Sequence, residues 1–491
     1  MRVVHIASEV APWSQTGGLA EVVGSVPYAL EQVGGQKVQC AVISPFYRGI
    51  WQKARARGVT IENTDVTVTT MLAGWRVTAR MVALREPGRP PVFLVDYPGF
   101  YDRDGLYCAA TGADHADNFL RFALLCRVAI EAAPRLMGGV PDVFHAHDWQ
   151  AGLVPVYLRT RYPQARAASI FTIHNLAYQG VFHKDILPLL GIDWSEFTLE
   201  RLEYHDHVSY IKGGIAYSDA VTAVSPSYAR EILTPQYSFG LDRFLRFQTR
   251  QLYGILNGID TEAWNPSSDR AIAANYDATS LPQGKLSCRK ELAKEFGLTL
   301  QDGEILLGVV SRFTGQKGLD LVADMAPDLH TMGAKLIVLG SGDPELQNRF
   351  RYLGHVFAHN LAVRIGFDVP QSHRIYSGVD AFLVPSRFEP CGLTQMCAMR
   401  YGTVPIVHAV GGLRDTVEDP GDGALCRGEG TGFRFDHPTA IGLRWATARA
   451  ARIYRERPDG WLKLARAGMA RDFSWRRSAQ TYLQLYQHLI R

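Results

Sequence analysis

Two cations five residues apart, Arg312 and Lys317, sit in Ser311-Arg312-Phe313-Thr314-Gly315-Gln316-Lys317-Gly318. Arginine offers a planar fork and lysine a compact charge, so the pair can converge on one phosphate group. The bland alternative is two solvated loop charges. Glu389 lies in Pro385-Ser386-Arg387-Phe388-Glu389-Pro390-Cys391-Gly392-Leu393-Thr394. Its carboxylate can accept from a sugar or ribose hydroxyl, or simply satisfy backbone donors in its own turn. The N–H groups of Gly392, Leu393 and Thr394 would open a helix and face an anion. Cys391 has no base partner nearby in sequence and reads as a small residue that allows close approach.

Three more stretches lie in the first half of the chain. In His145-Ala146-His147-Asp148-Trp149, two histidines and an aspartate suggest either a metal site or a polar rim for a hydroxylated ligand. The histidines lie two apart and no third ligand stands out, so the polar rim is preferred. Thr172-Ile173-His174-Asn175 offers a donor and an acceptor together. Ser14-Gln15-Thr16-Gly17-Gly18-Leu19-Ala20 permits a tight turn into a helix whose free N–H groups suit a phosphate or sugar hydroxyl. It matches neither the dinucleotide fingerprint nor the P-loop.

The elements that must hold these stretches are short apolar runs rich in valine and isoleucine. They fall at residues 3–7, 38–44, 92–95, 143–145, 169–173, 220–224 and 252–256. A second series falls at 305–310, 335–339, 363–365, 381–384 and 404–407. Helix-length amphipathic segments separate most of them. Such runs are buried parallel strands of βαβ units, and two doubly wound α/β sheets of roughly six strands each are expected. All five stretches then fall at strand C-terminal ends, where open α/β sheets bind ligands. The turn dipeptide Asn257-Gly258 and the apolar-poor segment after it separate the series. The expected domains are 1–256 and 257–474, joined by a hinge near 257–265. Residues 475–491 are expected to form a helix that packs back on the first domain, its apolar face carrying Tyr482, Leu485, Tyr486, Leu489 and Ile490.

Composition narrows the function. Of 491 residues, 47% are hydrophobic and 20% charged, which excludes a disordered or collagen-like chain. The net charge of +4 comes from scattered basic residues and gives no nucleic-acid footprint. Seven dispersed cysteines without a C-x-x-C pair fit a reducing, cytoplasmic setting. The N-terminus reads as a strand with no signal peptide, and no apolar run suggests a membrane span.

Taken together, the stretches resemble the family of bacterial glycogen synthases and plant starch synthases. The likeness runs nearly end to end. It also includes Ala223-Val224-Ser225-Pro226-Ser227-Tyr228-Ala229, Asn257-Gly258-Ile259-Asp260, Gly411-Gly412-Leu413-Arg414-Asp415-Thr416-Val417 and Phe473-Ser474-Trp475. The resemblance implies two Rossmann-like domains facing a central cleft, the GT-B arrangement. It implies glucosyl transfer, with retention, from ADP-glucose to the non-reducing 4-OH of an α-1,4-glucan, with no metal and no cofactor. Arg312 and Lys317 would hold the diphosphate, and Glu389 the donor glucose. Cys391, Gly392, Leu393 and Thr394 would form the sugar–phosphate loop, with Gln15, Gly17 and Gly18 in the glycine turn. His174 and Asn175 would lie beside the transferred glucose, Asp148 would line the site, and Phe367 would stack on the adenine. The resemblance assigns no oligomeric state.

Two positions depart from the family pattern. Gln15 stands where the family normally has lysine, and Glu21 where it often has aspartate. An amide can hydrogen-bond but cannot neutralise a phosphate. Gln15 and Phe367 therefore keep a UDP-glucose donor open as an alternative, and Gln15 a non-catalytic glucan-binding scaffold.

Overall fold

In a computed structural model of the chain, residues 1–109, 112–248 and 252–490 are described. Contacts divide it into two units, Met1–Gly258 with Trp475–Arg491, and Ile259–Ser474. The first unit holds β1 (Arg2–Ile6), β2 (Gln39–Pro45), β3 (Ile61–Leu72), β4 (Trp75–Leu84), β5 (Val92–Asp96), β6 (Val143–His147) and β7 (Ala168–Ile173). It continues with β8 (Val181–His183), β9 (Glu203–Tyr204), β10 (His207–Ser209), β11 (Ala220–Ala223) and β12 (Leu252–Gly254). Nine of these form one sheet in the order β12-β11-β7-β6-β1-β2-β5-β4-β3, and the remaining three a small separate sheet, β8-β10-β9.

The expectation of about six strands is therefore wrong for this unit, for a physical reason. Pairing is parallel from β12 to β5, but β4 and β3 add an antiparallel hairpin. Its outer strand alternates buried and exposed residues from Val66 to Leu72, with threonines interleaved. A strand covered on one face carries no continuous apolar run, which was the signal sought. The turn is Ala73-Gly74, with φ of 51° and 79°, the left-handed pair that suits a two-residue hairpin.

The second unit holds β13 (Ile305–Val310), β14 (Ala334–Gly340), β15 (Leu361–Ile365), β16 (Ala381–Val384), β17 (Val404–His408) and β18 (Phe433–Phe435). They form a six-stranded parallel sheet, β15-β14-β13-β16-β17-β18. The last strand, Phe433-Arg434-Phe435, is too short to read as an apolar run. The segment after Ile259 is pinned to this unit. The Trp264 ring stacks on His373 with centroids 4.1 Å apart, His373 bonds Asp269 at 2.7 Å, and Tyr276 donates to the Tyr401 carbonyl at 2.9 Å.

The terminal helix, Trp475–Leu489, belongs to the first unit; residue 491 lies outside the described residues. Trp475, Ala479, Tyr482, Leu485 and Tyr486 pack with Val3, Val22, Val26, Leu30, Val143 and Ile170. Burying a large apolar side chain contributes about 1.5–3 kcal/mol, so this face holds the helix in place. A deep polar contact of this helix is the Tyr486 hydroxyl, 2.7 Å from His145 Nδ1, both fully buried. Among the described residues, no helix is long and apolar enough to cross a membrane.

Tyr486→Phe keeps the packing and removes only that bond. It is expected to destabilise the protein by about 1–3 kcal/mol, the cost of an unpaired buried polar group. A urea midpoint equal to wild type would show that the bond contributes nothing.

Candidate active site

In the first unit β1, β6 and β7 are neighbours, so the loops leaving their C-terminal ends lie side by side. The glycine turn follows β1 and leads into a helix, Gly18–Gly34. Buried Glu9 gathers this turn. Its carboxylate accepts from the Thr16 N–H at 2.5 Å, the Thr16 hydroxyl at 2.6 Å, the Gly17 N–H at 3.3 Å and the Tyr107 hydroxyl at 2.5 Å. A side chain at Gly17 would meet nothing within 4 Å, so the space above the turn is open. Exposed Gln15 donates its amide to Glu21 at 2.8 Å, which joins the two departures from the family pattern.

Asp148 follows β6 with φ 59° and ψ 179°, a backbone region that is nearly confined to glycine and costs about 1–3 kcal/mol. Its N–H bonds the Thr172 carbonyl at 2.9 Å. Its carboxylate accepts from the N–H groups of His174 at 3.1 Å and Asn175 at 3.4 Å. Burial pushes its pKa up to about 7, while those two donors pull it down. Asn175 closes the next turn by accepting the Ala177 N–H at 3.1 Å. Asp148, His174 and Asn175 are thus one bonded group.

Behind them the structure adds a residue that the sequence reading missed. His5, on β1, lies beside His145 and His147, and one nitrogen from each of the three falls within 4.8 Å of the others. This supplies the third neighbour that the metal reading lacked. However, both nitrogens of His145 are taken, by Tyr486 at 2.7 Å and Thr172 at 2.6 Å. Both nitrogens of His147 are taken too, by His5 and His174, each at 3.0 Å. A metal needs free lone pairs that these bonds use, so the cluster is a hydrogen-bond network. Burial lowers the pKa of His5 and His174 to about 3, and holds His145 and His147 well below the usual range, so all four rings are neutral at pH 7.

In the second unit β13 and β16 are neighbours, and their loops are clamped together. Arg387 binds both oxygens of Asp320, at 2.7 and 2.6 Å, and its N–H bonds the Gln316 carbonyl at 2.8 Å. Gly318, with φ 65°, is required there, because a Cβ would lie 2.2 Å from the Pro385 carbonyl oxygen. The clamp brings Lys317 to Glu389, Nζ to Oε2, at 2.6 Å, and the Ser386 hydroxyl donates to the same oxygen at 2.8 Å. One bond leaves Lys317 two further donors. Arg312 is exposed on the same loop; its carbonyl accepts from the Ser311 hydroxyl at 3.1 Å, while its guanidinium makes no hydrogen bond or ion pair among the described residues.

Gly392, Leu393 and Thr394 lead into the helix Thr394–Arg400, with Cys391 buried before them. Gly412 seats its own loop against this one, since a Cβ there would lie 2.1 Å from the Cys391 carbonyl oxygen. Phe367 stands at the same edge of the sheet, two strands from β13, and is 75% exposed. Lys317 and Glu389 are therefore brought into contact, while Phe367 stands apart from them. Glu9, Asp320, Arg387 and Ser386, which hold these loops together, were not singled out from the sequence. Asp320, Arg387 and Ser386 lay inside or beside the quoted motifs, and Glu9 follows β1 directly; that placement was the available signal.

Comparison with known proteins agrees along the whole chain. The starch synthase catalytic domain family matches residues 2–247, and the glycosyl transferases group 1 family matches residues 291–430. A glycogen synthase from Anaeromyxobacter dehalogenans (strain 2CP-C) is 45% identical over 495 residues, covering all of both chains. One from Koribacter versatilis is 42% identical, covering 99% of this chain and 98% of its own. The catalytic domain of starch synthase IV from Arabidopsis thaliana, solved with ADP and acarbose, superposes with a TM-score of 0.88 at 33% identity over 99% of both chains. Sucrose-phosphate synthase from Thermosynechococcus elongatus shares the fold, with a TM-score of 0.59 at 18% identity, covering 99% of this chain and 98% of its own.

The buried histidines set a pH dependence. Each has a folded pKa below its unfolded value, so its contribution is present above pH 6.5 and lost as the pH falls. Asp148 has the opposite sign, with a contribution present near pH 4 and lost as the pH rises through about 7. Four histidines against one aspartate leave unfolding coupled to uptake of about three protons near pH 5. The urea midpoint should fall from about pH 7.5 to about pH 5. A midpoint that is flat or rises over that range would contradict the neutral cluster.

Proposed function

The chain belongs to the family of glycogen and starch synthases, retaining glycosyltransferases that elongate an α-glucan from a nucleotide sugar, and from that premise we propose which residues perform the transfer and with which donor. The donor is ADP-glucose and the acceptor is the non-reducing 4-OH of an α-1,4-glucan. Arg312 and Lys317 bind the diphosphate. As the C1–O bond to phosphate breaks, negative charge grows on the leaving oxygen, and two fixed cations lower the energy of that charge. Glu389 positions the donor glucose and orients Lys317. Gly392, Leu393 and Thr394 present backbone donors to the sugar and phosphate, and buried Cys391 lets the loop approach closely. Phe367 stacks on the adenine. In the first unit, His174, Asp148 and Asn175 take the transferred glucose, and the open turn at Gly17 and Gly18 lies beside them, with Gln15 at its edge.

Retention follows if the acceptor oxygen attacks C1 from the face the phosphate leaves. The 4-OH proton then passes to the departing phosphate oxygen, and ADP carries it away, so no protein base is consumed. The observation that carries this reading is the clamped pair of loops that brings Lys317 and Glu389 to 2.6 Å, on the loop that also carries Arg312. The absence of any disulfide among the seven cysteines supports a cytoplasmic setting.

The Gln15–Glu21 bond favours one second reading, a preference for UDP-glucose, because the family lysine's charge is missing there. Nucleotide release with glycogen primer and matched ADP-glucose or UDP-glucose separates the two. Faster ADP release with glucan growth is expected, and the reverse order would replace the donor assignment. Arg312→Ala should lower kcat by about 10²–10³. Loss of primer affinity alone, at wild-type kcat, would remove Arg312 from the charge-stabilising role. Gln15→Lys should lower the KM for ADP-glucose, and an unchanged KM would show that Glu21 holds position 15 away from the donor.

A further inference from the structure

We propose that His147 and His5 are positioning residues that fix His174 in the tautomer carrying its proton on Nδ1, so that the enzyme offers the transferred sugar a hydrogen-bond donor at that nitrogen. The proposal rests on the reading above that His174 lies beside the transferred glucose. It adds what sets the character of that contact.

The three rings form a chain. His5 Nδ1 is 3.0 Å from His147 Nε2, and His147 Nδ1 is 3.0 Å from His174 Nε2. A nitrogen-to-nitrogen bond of that length contains one proton. A neutral imidazole has one donor and one acceptor, so His147 must donate in one bond and accept in the other. All protons in the chain therefore point the same way. Burial keeps His5, His147 and His174 neutral at pH 7, so no ring supplies a second proton.

The direction is decided at the far end. His5 Nε2 is buried and has no hydrogen-bond partner among the described residues. If the protons pointed toward His5, that nitrogen would be a buried N–H with nothing to donate to. If they point toward His174, it holds only an unused lone pair. Buried N–H groups without a partner are rarer in folded proteins than under-used acceptors. The protons therefore run from His5 to His147 to His174, His174 Nε2 accepts, and the His174 proton sits on Nδ1. That nitrogen makes no hydrogen bond among the described residues and is left for a ligand.

The side branch cannot redirect the chain. His145 stacks on His147 with centroids 4.1 Å apart, but its nitrogens are committed to Tyr486 and Thr172. Thr172 passes its own bond on to Thr222 at 2.6 Å. The stacked rings block rotation of His147, so the orientation of His174 is fixed along with its tautomer.

The test begins with the full-length wild-type protein labelled with ¹⁵N-histidine, without substrate. The His174 resonances are identified by their loss in His174→Gln. A protonated-type Nδ1 and an unprotonated-type Nε2 are expected, and the opposite pattern overturns the proposal. This result holds even if His147 variants fail to fold. Kinetics then test positioning. His147→Leu should lower kcat about tenfold or more while the donor KM stays within about threefold. His147→Asn, whose amide nitrogen stands in for Nδ1, should recover kcat to within about threefold of wild type. Equal losses in the two folded variants would overturn the positioning role. The nitrogen spectrum is read without turnover, so a wild-type protein that makes no glucan would sink the functional reading and leave the tautomer result standing.

Discussion

Inside the first unit, three imidazoles and two threonine hydroxyls lie buried in the sheet, with a fourth buried imidazole just past the end of β7. Such groups cost free energy unless they bond each other, and much of the unit's architecture follows from meeting that need. Parallel pairing of β1 with β6 sets His5 opposite His145, and pairing of β6 with β7 sets His147 opposite Thr172. Thr222 extends the ladder on β11. The final helix completes it with a tyrosine hydroxyl that no strand could supply. The same ladder ends at His174, so the requirement that stabilises the interior also orients a group at the site's edge.

The second unit solves a different problem. The groups proposed to bind the donor are charged and stand on loops, which do not hold a shape unaided. The Asp320–Arg387 fork ties the two loops together, and glycines at 318 and 412 let backbones approach where any side chain would collide. Lys317 and Glu389 then form a short ion pair at a partly buried position. An ion pair of this kind adds little net stability after desolvation, so its value lies in geometry. Removing Lys317 would leave the buried Glu389 carboxylate without its cation, held by the Ser386 hydroxyl.

Sequence reading reached some of this and missed the rest for identifiable reasons. The longer parallel strands were legible because burial on both faces demands unbroken apolar runs, whereas three-residue β18 was not. Strands β3 and β4 were not, because a strand with one wet face interleaves threonine and charge. The motifs around Arg312, Lys317 and Glu389 were legible as loops at strand ends. Asp320 and Arg387 stood in view, but nothing local says that two loops 67 residues apart will meet. His5 was hidden differently. A histidine in an apolar strand gives no local sign of its partners, and its bond to His147 spans 142 residues. The Gln15 departure was read as a lost charge; the structure adds that its amide is engaged by the other departure, Glu21.

The placement of the terminal helix has a consequence for synthesis. A ribosome delivers His145 long before Tyr486, with 341 residues separating the two bonded groups. Residues 259–474 are all made before Trp475 exists, so the second unit has every one of its own strands while the first still lacks its closing helix. The unit that is translated first is the last to be complete. His145 lacks its Tyr486 partner until residue 486 has been made, whereas the His5–His147–His174 bonds use only residues made much earlier.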